Sequence, residues 1–132
     1  MAQRELPSAR PISPHLTIFR PLVNMVMSIL HRITGAALYL GMALLAWWLV
    51  AAASGPEAYA TASAFFGSWL GRLVLFGFTW ALIHHLLGGV RHLIWDAGYG
   101  MTKAARDWLS WATIVGSVAL TLLVWLAGYL VR

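Results

Sequence analysis

ITGAALYLGMALLAWWLVAAASGP, residues 33–56, runs for 24 residues without a charge, between Arg32 and Glu57. A helix rising about 1.5 Å per residue crosses the hydrocarbon of a bilayer in about 20 apolar residues, so this run is long enough to span it. A second run of 24 uncharged residues, WLSWATIVGSVALTLLVWLAGYLV, occupies 108–131. Between them an apolar region from near Ala62 to about Tyr99 is interrupted by Arg72 and by HHLLGGVRH at 84–92. The expected architecture is an all-α membrane protein. An N-terminal arm covers 1–27, and a three-helix domain covers 28–132, with spans at about 28–53, 63–97 and 106–131. SGPE at 54–57 reads as a turn, with Pro56 opening the next helix.

Composition agrees with that reading. Of 132 residues 61% are hydrophobic and 10% charged, and the mean hydropathy of +0.75 lies outside the usual soluble range. The formal charge of +5 does not point to nucleic acid, because the basic residues punctuate apolar runs instead of gathering on one wet face. Cysteine is absent, which excludes thiolate and iron–sulfur ligation by this chain and leaves histidine as its main metal ligand. The first 27 residues hold four prolines and no apolar stretch long enough for a signal-peptide core, so the N-terminus is expected to be retained as an extended arm.

Lys and Arg near the span ends set the orientation. Arg4, Arg10 and Arg20 precede the first span, while Lys103 and Arg106, with Arg91 at the edge, lie between the second and third. Both groups belong on the cytoplasmic side, which puts the N-terminus inside. The tryptophans fall near the two expected boundaries and need no role beyond interfacial anchoring.

Within the second span, Arg72 and Arg91 are separated by about 28 Å of helix, one hydrocarbon thickness. His85 then lies inside the membrane, where an ionisable side chain is by default a functional-site hypothesis. His85, Gly88 or Gly89, His92 and Asp96 follow at intervals of three or four and share one stripe. Paired glycines each cost a helix about 1 kcal/mol relative to alanine, which makes sense where a porphyrin face must approach the backbone, or where another helix packs closely. Imidazole is an axial ligand of haem iron; it is also a common hydrogen-bonding core group. His84 is turned about 100° from His85 and faces lipid or another helix.

At the same depth the first span begins with SILHRITG, residues 28–35, which sets Ser28, His31 and Arg32 at its threshold. Arg32 alone would be an ordinary snorkelling anchor, and Asp96 alone a solvated helix-end residue. Together the two stripes could line a pocket at the membrane surface, suited to haem carboxylates at His31, Arg32 and His92 and to a quinone head group needing donors to its carbonyl oxygens.

RPISPHLTIFRP at 10–21, SILHRITG at 28–35, SGPEAY at 54–59 and HHLLGGVRHLIWDAGYG at 84–100 resemble the cytochrome b subunit family of succinate dehydrogenase, the larger of its two membrane anchors. The resemblance covers about residues 10–100; the third span resembles the family only in being apolar. It implies that His85 is one axial ligand of haem b, shared with a smaller anchor subunit that supplies the second ligand. Ser28 and Arg32 are then quinone-binding residues for ubiquinone, and His31, Arg32 and His92 lie near the haem propionates. Gly88 and Gly89 give the porphyrin clearance, and Asp96 belongs to a proton route. The implied partners are that smaller anchor, an iron–sulfur subunit, a flavoprotein subunit and the lipid bilayer. The implied place is the bacterial cytoplasmic (inner) membrane or the mitochondrial inner membrane, in respiratory electron transport, with no activity in the isolated chain. The alternatives are a non-redox three-helix scaffold and the anchor of a fumarate reductase.

Overall fold

The computed structural model describes residue 15 and residues 18–131; most of the N-terminal arm, with Arg4 and Arg10, lies outside the described residues. Four α-helices and no strand are formed among the described residues: α1 (Val23–Ser54), α2 (Pro56–Gly67), α3 (Trp69–Asp96) and α4 (Lys103–Leu130). α1, α3 and α4 are long and apolar enough to cross a membrane.

The breaks between helices follow from local chemistry. α1 ends at Gly55, whose φ of 118° an L side chain rarely adopts, and Pro56 opens α2 at its first position, where a missing N–H costs nothing. The apolar region from Ala62 divides at Ser68. Its backbone is extended, its N–H closes α2 onto Ala64 and Phe65, and its hydroxyl accepts from the Gly71 N–H at 3.1 Å to cap α3. Thr102 caps α4 in the same way, accepting from the Ala105 N–H at 3.3 Å. α2 is therefore a separate 12-residue helix leading into the second span.

α3 is the centre of the packing and touches the other three helices. The buried side chains are mostly small or polar: Ala51, Ala62 and Ala81, with Thr34, Ser110, Thr113, Ser117 and Thr121. Lipid tails are as apolar as leucine, so helices in a membrane associate through small residues and interhelical hydrogen bonds. Leucines and valines accordingly point outward in number along all three spans. α1 is the least enclosed, with only Met27, Thr34 and Ala51 buried.

The tryptophans also make ring contacts within the bundle. Trp47 packs on Phe65 and Phe66, and Trp48 on Tyr59, at the α1–α2 corner. Trp125 donates from its indole N–H to Thr79 at 3.3 Å and meets Phe76 edge-on.

Candidate functional site

α3 presents two polar faces to two neighbours. Toward α4 it turns His84 and Arg91; toward α1 it turns Phe78, His85, Gly88 and His92. The adjacent histidines thus face different helices, as about 100° per residue requires.

On the α4 side His84 is 1% exposed, its Nδ1 3.1 Å from the Ser117 hydroxyl and its ring against Trp80. Its Nε2 is buried without a hydrogen-bond partner among the described residues. Two turns on, Arg91 is 2% exposed, so the residue counted in the sequence as a boundary charge lies inside the bundle. It donates from Nη1 to the Ser110 hydroxyl at 3.2 Å and holds its guanidinium carbon 5.0 Å from the Trp95 ring centre. Ser110 lies 2.5 Å from Asn24 Oδ1, and Asn24 donates to Asp107 Oδ1 at 3.2 Å. A buried cation is costly unless it is compensated; α4 supplies the Ser110 acceptor and α3 the Trp95 ring, Asn24 of α1 bonds Ser110 in turn, and Arg91 Nε has no hydrogen-bond partner among the described residues.

The α1 side brings three histidines together. The rings of His31 and His85 stack with centroids 3.9 Å apart at 16°, and His92 meets His31 edge-on at 5.5 Å. Close approach depends on glycine on both helices. A Cβ on Gly35 would come within 3.1 Å of His85 Cε1, and one on Gly88 would run into the His31 ring. The space over Gly88 is therefore occupied by His31, whereas a Cβ on Gly89 would meet nothing within 4 Å.

His85 is half-buried and is held through Nδ1 alone. This atom lies 3.1 Å from the His31 carbonyl oxygen and 3.2 Å from the Thr34 hydroxyl. A carbonyl oxygen can only accept, so in the neutral imidazole Nδ1 carries the proton and Nε2 keeps the lone pair. Nε2 bonds to nothing among the described residues. His31 Nε2 is buried and also lacks a hydrogen-bond partner among the described residues.

The polar cluster of SILHRITG divides by helix face. His31 and Thr34 turn inward; Ser28 and Arg32 are exposed and form no hydrogen bond or ion pair among the described residues. Asp96, the last residue of α3, is likewise exposed and unbonded, at the same end of the bundle as Ser28 and Arg32. Thr34, Asn24, Ser110 and Ser117 were not singled out by sequence reasoning. In α4 a signal was present, since Ser110, Thr113, Ser117 and Thr121 recur at helical spacing within an otherwise apolar span.

These features define a polytopic helical membrane protein with a histidine cluster between two spans. Comparison with known proteins gives the family. The profile of the Succinate dehydrogenase/Fumarate reductase transmembrane subunit family matches residues 7–125. The chain is 49% identical over 114 residues to the succinate dehydrogenase cytochrome b556 subunit of Paracoccus denitrificans, covering 86% of this chain and 88% of that one. It is 37% identical over 123 residues to the subunit of the same name from Rickettsia prowazekii, covering 93% and 96%. With the mitochondrial cytochrome b560 subunit of Sus scrofa it shares 40% identity over 101 residues, 75% of this chain and 60% of that one. The chain belongs to the family of transmembrane subunits of succinate dehydrogenase and fumarate reductase.

Proposed function

We propose that this chain carries haem b on His85 Nε2 and presents Ser28 and Arg32 to a ubiquinone head group, as the larger membrane anchor of succinate:quinone oxidoreductase. The observation that carries this reading is the state of His85. Histidines that bind metals donate their other ring N–H to a carbonyl or similar acceptor, and His85 does so through Nδ1 while Nε2 stays free. The open space beside Gly89 suits a porphyrin edge. The unpartnered His31 Nε2, with His92 beside it, suits a haem carboxylate, which needs charged or polar donors when buried. His84 is a poor alternative ligand, enclosed by Ser117 and Trp80.

Bound there, haem b would supply reversible one-electron chemistry. The work of the protein is to fix the His85 ring, keep its tautomer and exclude water around it. Ser28 and Arg32 face outward with free donors, as a quinone carbonyl oxygen requires, and Asp96 is open to water for proton delivery. A smaller anchor subunit, seated against the sparsely buried α1, would supply the other haem ligand. An iron–sulfur subunit, linked to a flavoprotein subunit, docks at the cytoplasmic end, where Arg20 ahead of α1 and Lys103 and Arg106 in the first turn of α4 carry the positive charge. In bacteria the host bilayer is the cytoplasmic (inner) membrane.

The test is made on the complex purified with its partner subunits. The expected result is a low-spin b-type haem spectrum. Arg32→Ala should lower quinone reduction by about tenfold or more and Ser28→Ala by about two- to tenfold, while succinate oxidation by an artificial acceptor persists, since a lost hydrogen bond costs about 1.5–3 kcal/mol when charge-assisted and about 0.5–1.5 kcal/mol when neutral. A complex free of haem, or equal loss of both activities, contradicts the reading.

A further inference from the structure

We infer that Thr34 is a positioning residue for His85, acting as a side-chain acceptor that fixes the ring nitrogen opposite the free one and sets the electron-donating strength of the imidazole. The inference rests on the reading of His85 as a haem ligand and deepens it.

Thr34 is 1% exposed and sits on the α1 face turned to α3. Its Oγ1 lies 2.9 Å from the Leu30 carbonyl oxygen, 3.0 Å from the His31 carbonyl oxygen and 3.2 Å from His85 Nδ1. A hydroxyl has a single proton, and the carbonyl oxygens beside it can only accept. With that proton directed to Leu30, the lone pairs of Oγ1 face His85, and the hydroxyl accepts from the imidazole. Nδ1–H is thereby shared between two acceptors, the His31 carbonyl and the Thr34 hydroxyl.

The backbone carbonyl is present whatever residue occupies position 34, so the hydroxyl is the acceptor that sequence can change. Gly35 lets the His85 ring lie close enough to α1 for both contacts, since a Cβ there would stand 3.1 Å from Cε1. An acceptor at Nδ1 raises the basicity of the ligating nitrogen, which favours ferric over ferrous iron. Removing one of two acceptors should therefore raise the midpoint potential of the haem. An effect of about threefold on the ferric/ferrous ratio corresponds to about 28 mV at 59 mV per tenfold for one electron.

The experiment is redox titration of the haem absorbance in the assembled complex, comparing the parent with Thr34→Val and Thr34→Ser. Valine keeps the shape without the hydroxyl; serine keeps the hydroxyl without the methyl group. The expected result is an upward shift of about 28 mV for valine and a potential within a few millivolts of the parent for serine, with haem content unchanged in serine. Loss of haem in valine together with retention in serine also supports the hydroxyl's role. An unchanged potential in valine overturns the inference, as does an equal shift in both variants, which would assign the effect to packing. His85→Ala is run beside them: if its haem spectrum matches that of the parent, the ligand reading itself fails, independently of Thr34.

Discussion

Adjacent glycines on α3 should respond in opposite ways to the same substitution. In Gly88→Ala the added methyl points at His31, 3.1 Å from Nε2 and closer still to Cδ2, so the ring must move or α1 must separate from α3. Overpacking of this kind costs about 1–3 kcal/mol, offset by a gain of about 1 kcal/mol in helix propensity. In Gly89→Ala the methyl meets nothing within 4 Å of this chain, so only the gain of about 1 kcal/mol remains. The two variants should differ by about 1–3 kcal/mol in the stability of the helix pairing, with Gly88→Ala the weaker. The assay is thermal inactivation of the assembled complex in detergent, with haem content measured before heating. On the proposed site Gly89→Ala should lose haem while its subunits stay assembled, because the porphyrin needs the space the methyl takes. Heat stability of Gly88→Ala equal to that of Gly89→Ala, or poorer subunit assembly in Gly89→Ala, would refute the packing argument.

Three further outcomes follow from the α3–α4 face and from His31. Ser117→Ala removes the partner of His84 Nδ1 inside the bundle and should destabilise the complex by about 1–3 kcal/mol, seen as a lower midpoint in the same heating assay. Arg91→Ala should reduce the yield of assembled complex on membrane extraction, through a cavity and the loss of the Ser110 and Trp95 contacts; Arg91→Met, which fills the space without a charge, should recover most of it. His31→Phe keeps a ring against His85 but removes the free Nε2, and should weaken haem retention during detergent washing more than it weakens subunit assembly.

Much of this architecture is written in local pattern. Uncharged runs of 24 residues define two spans, and the Gly55–Pro56 pair marks the first break because its conformational demands are strictly local. The separation of α2 from α3 was hidden because apolar composition continues on both sides of Ser68, whose extended backbone and capping bonds mark the boundary. Helical phase was enough to put His84 and His85 on different faces and His85 on a stripe with His92. It could not reveal that His31 fills the space above Gly88, since that depends on the depth at which α1 meets α3. The burial of Arg91 was illegible for a similar reason: its partner Ser110 lies on the next helix and is itself bonded to Asn24 on α1, far away in sequence. Thr34 stood within the quoted SILHRITG cluster, but a threonine in an apolar helix usually bonds to its own backbone, as Thr34 also does.

The central claim is that, of two neighbouring intramembrane histidines, His85 holds the iron and His84 holds helices together. Optical spectra and low-temperature electron paramagnetic resonance of the purified complex, recorded for His85→Ala and His84→Ala, test it most directly. The account predicts that His85→Ala loses or converts the low-spin haem signal, whereas His84→Ala keeps that signal in a less heat-stable complex. A parent-like low-spin signal in His85→Ala, with its loss in His84→Ala, would contradict it.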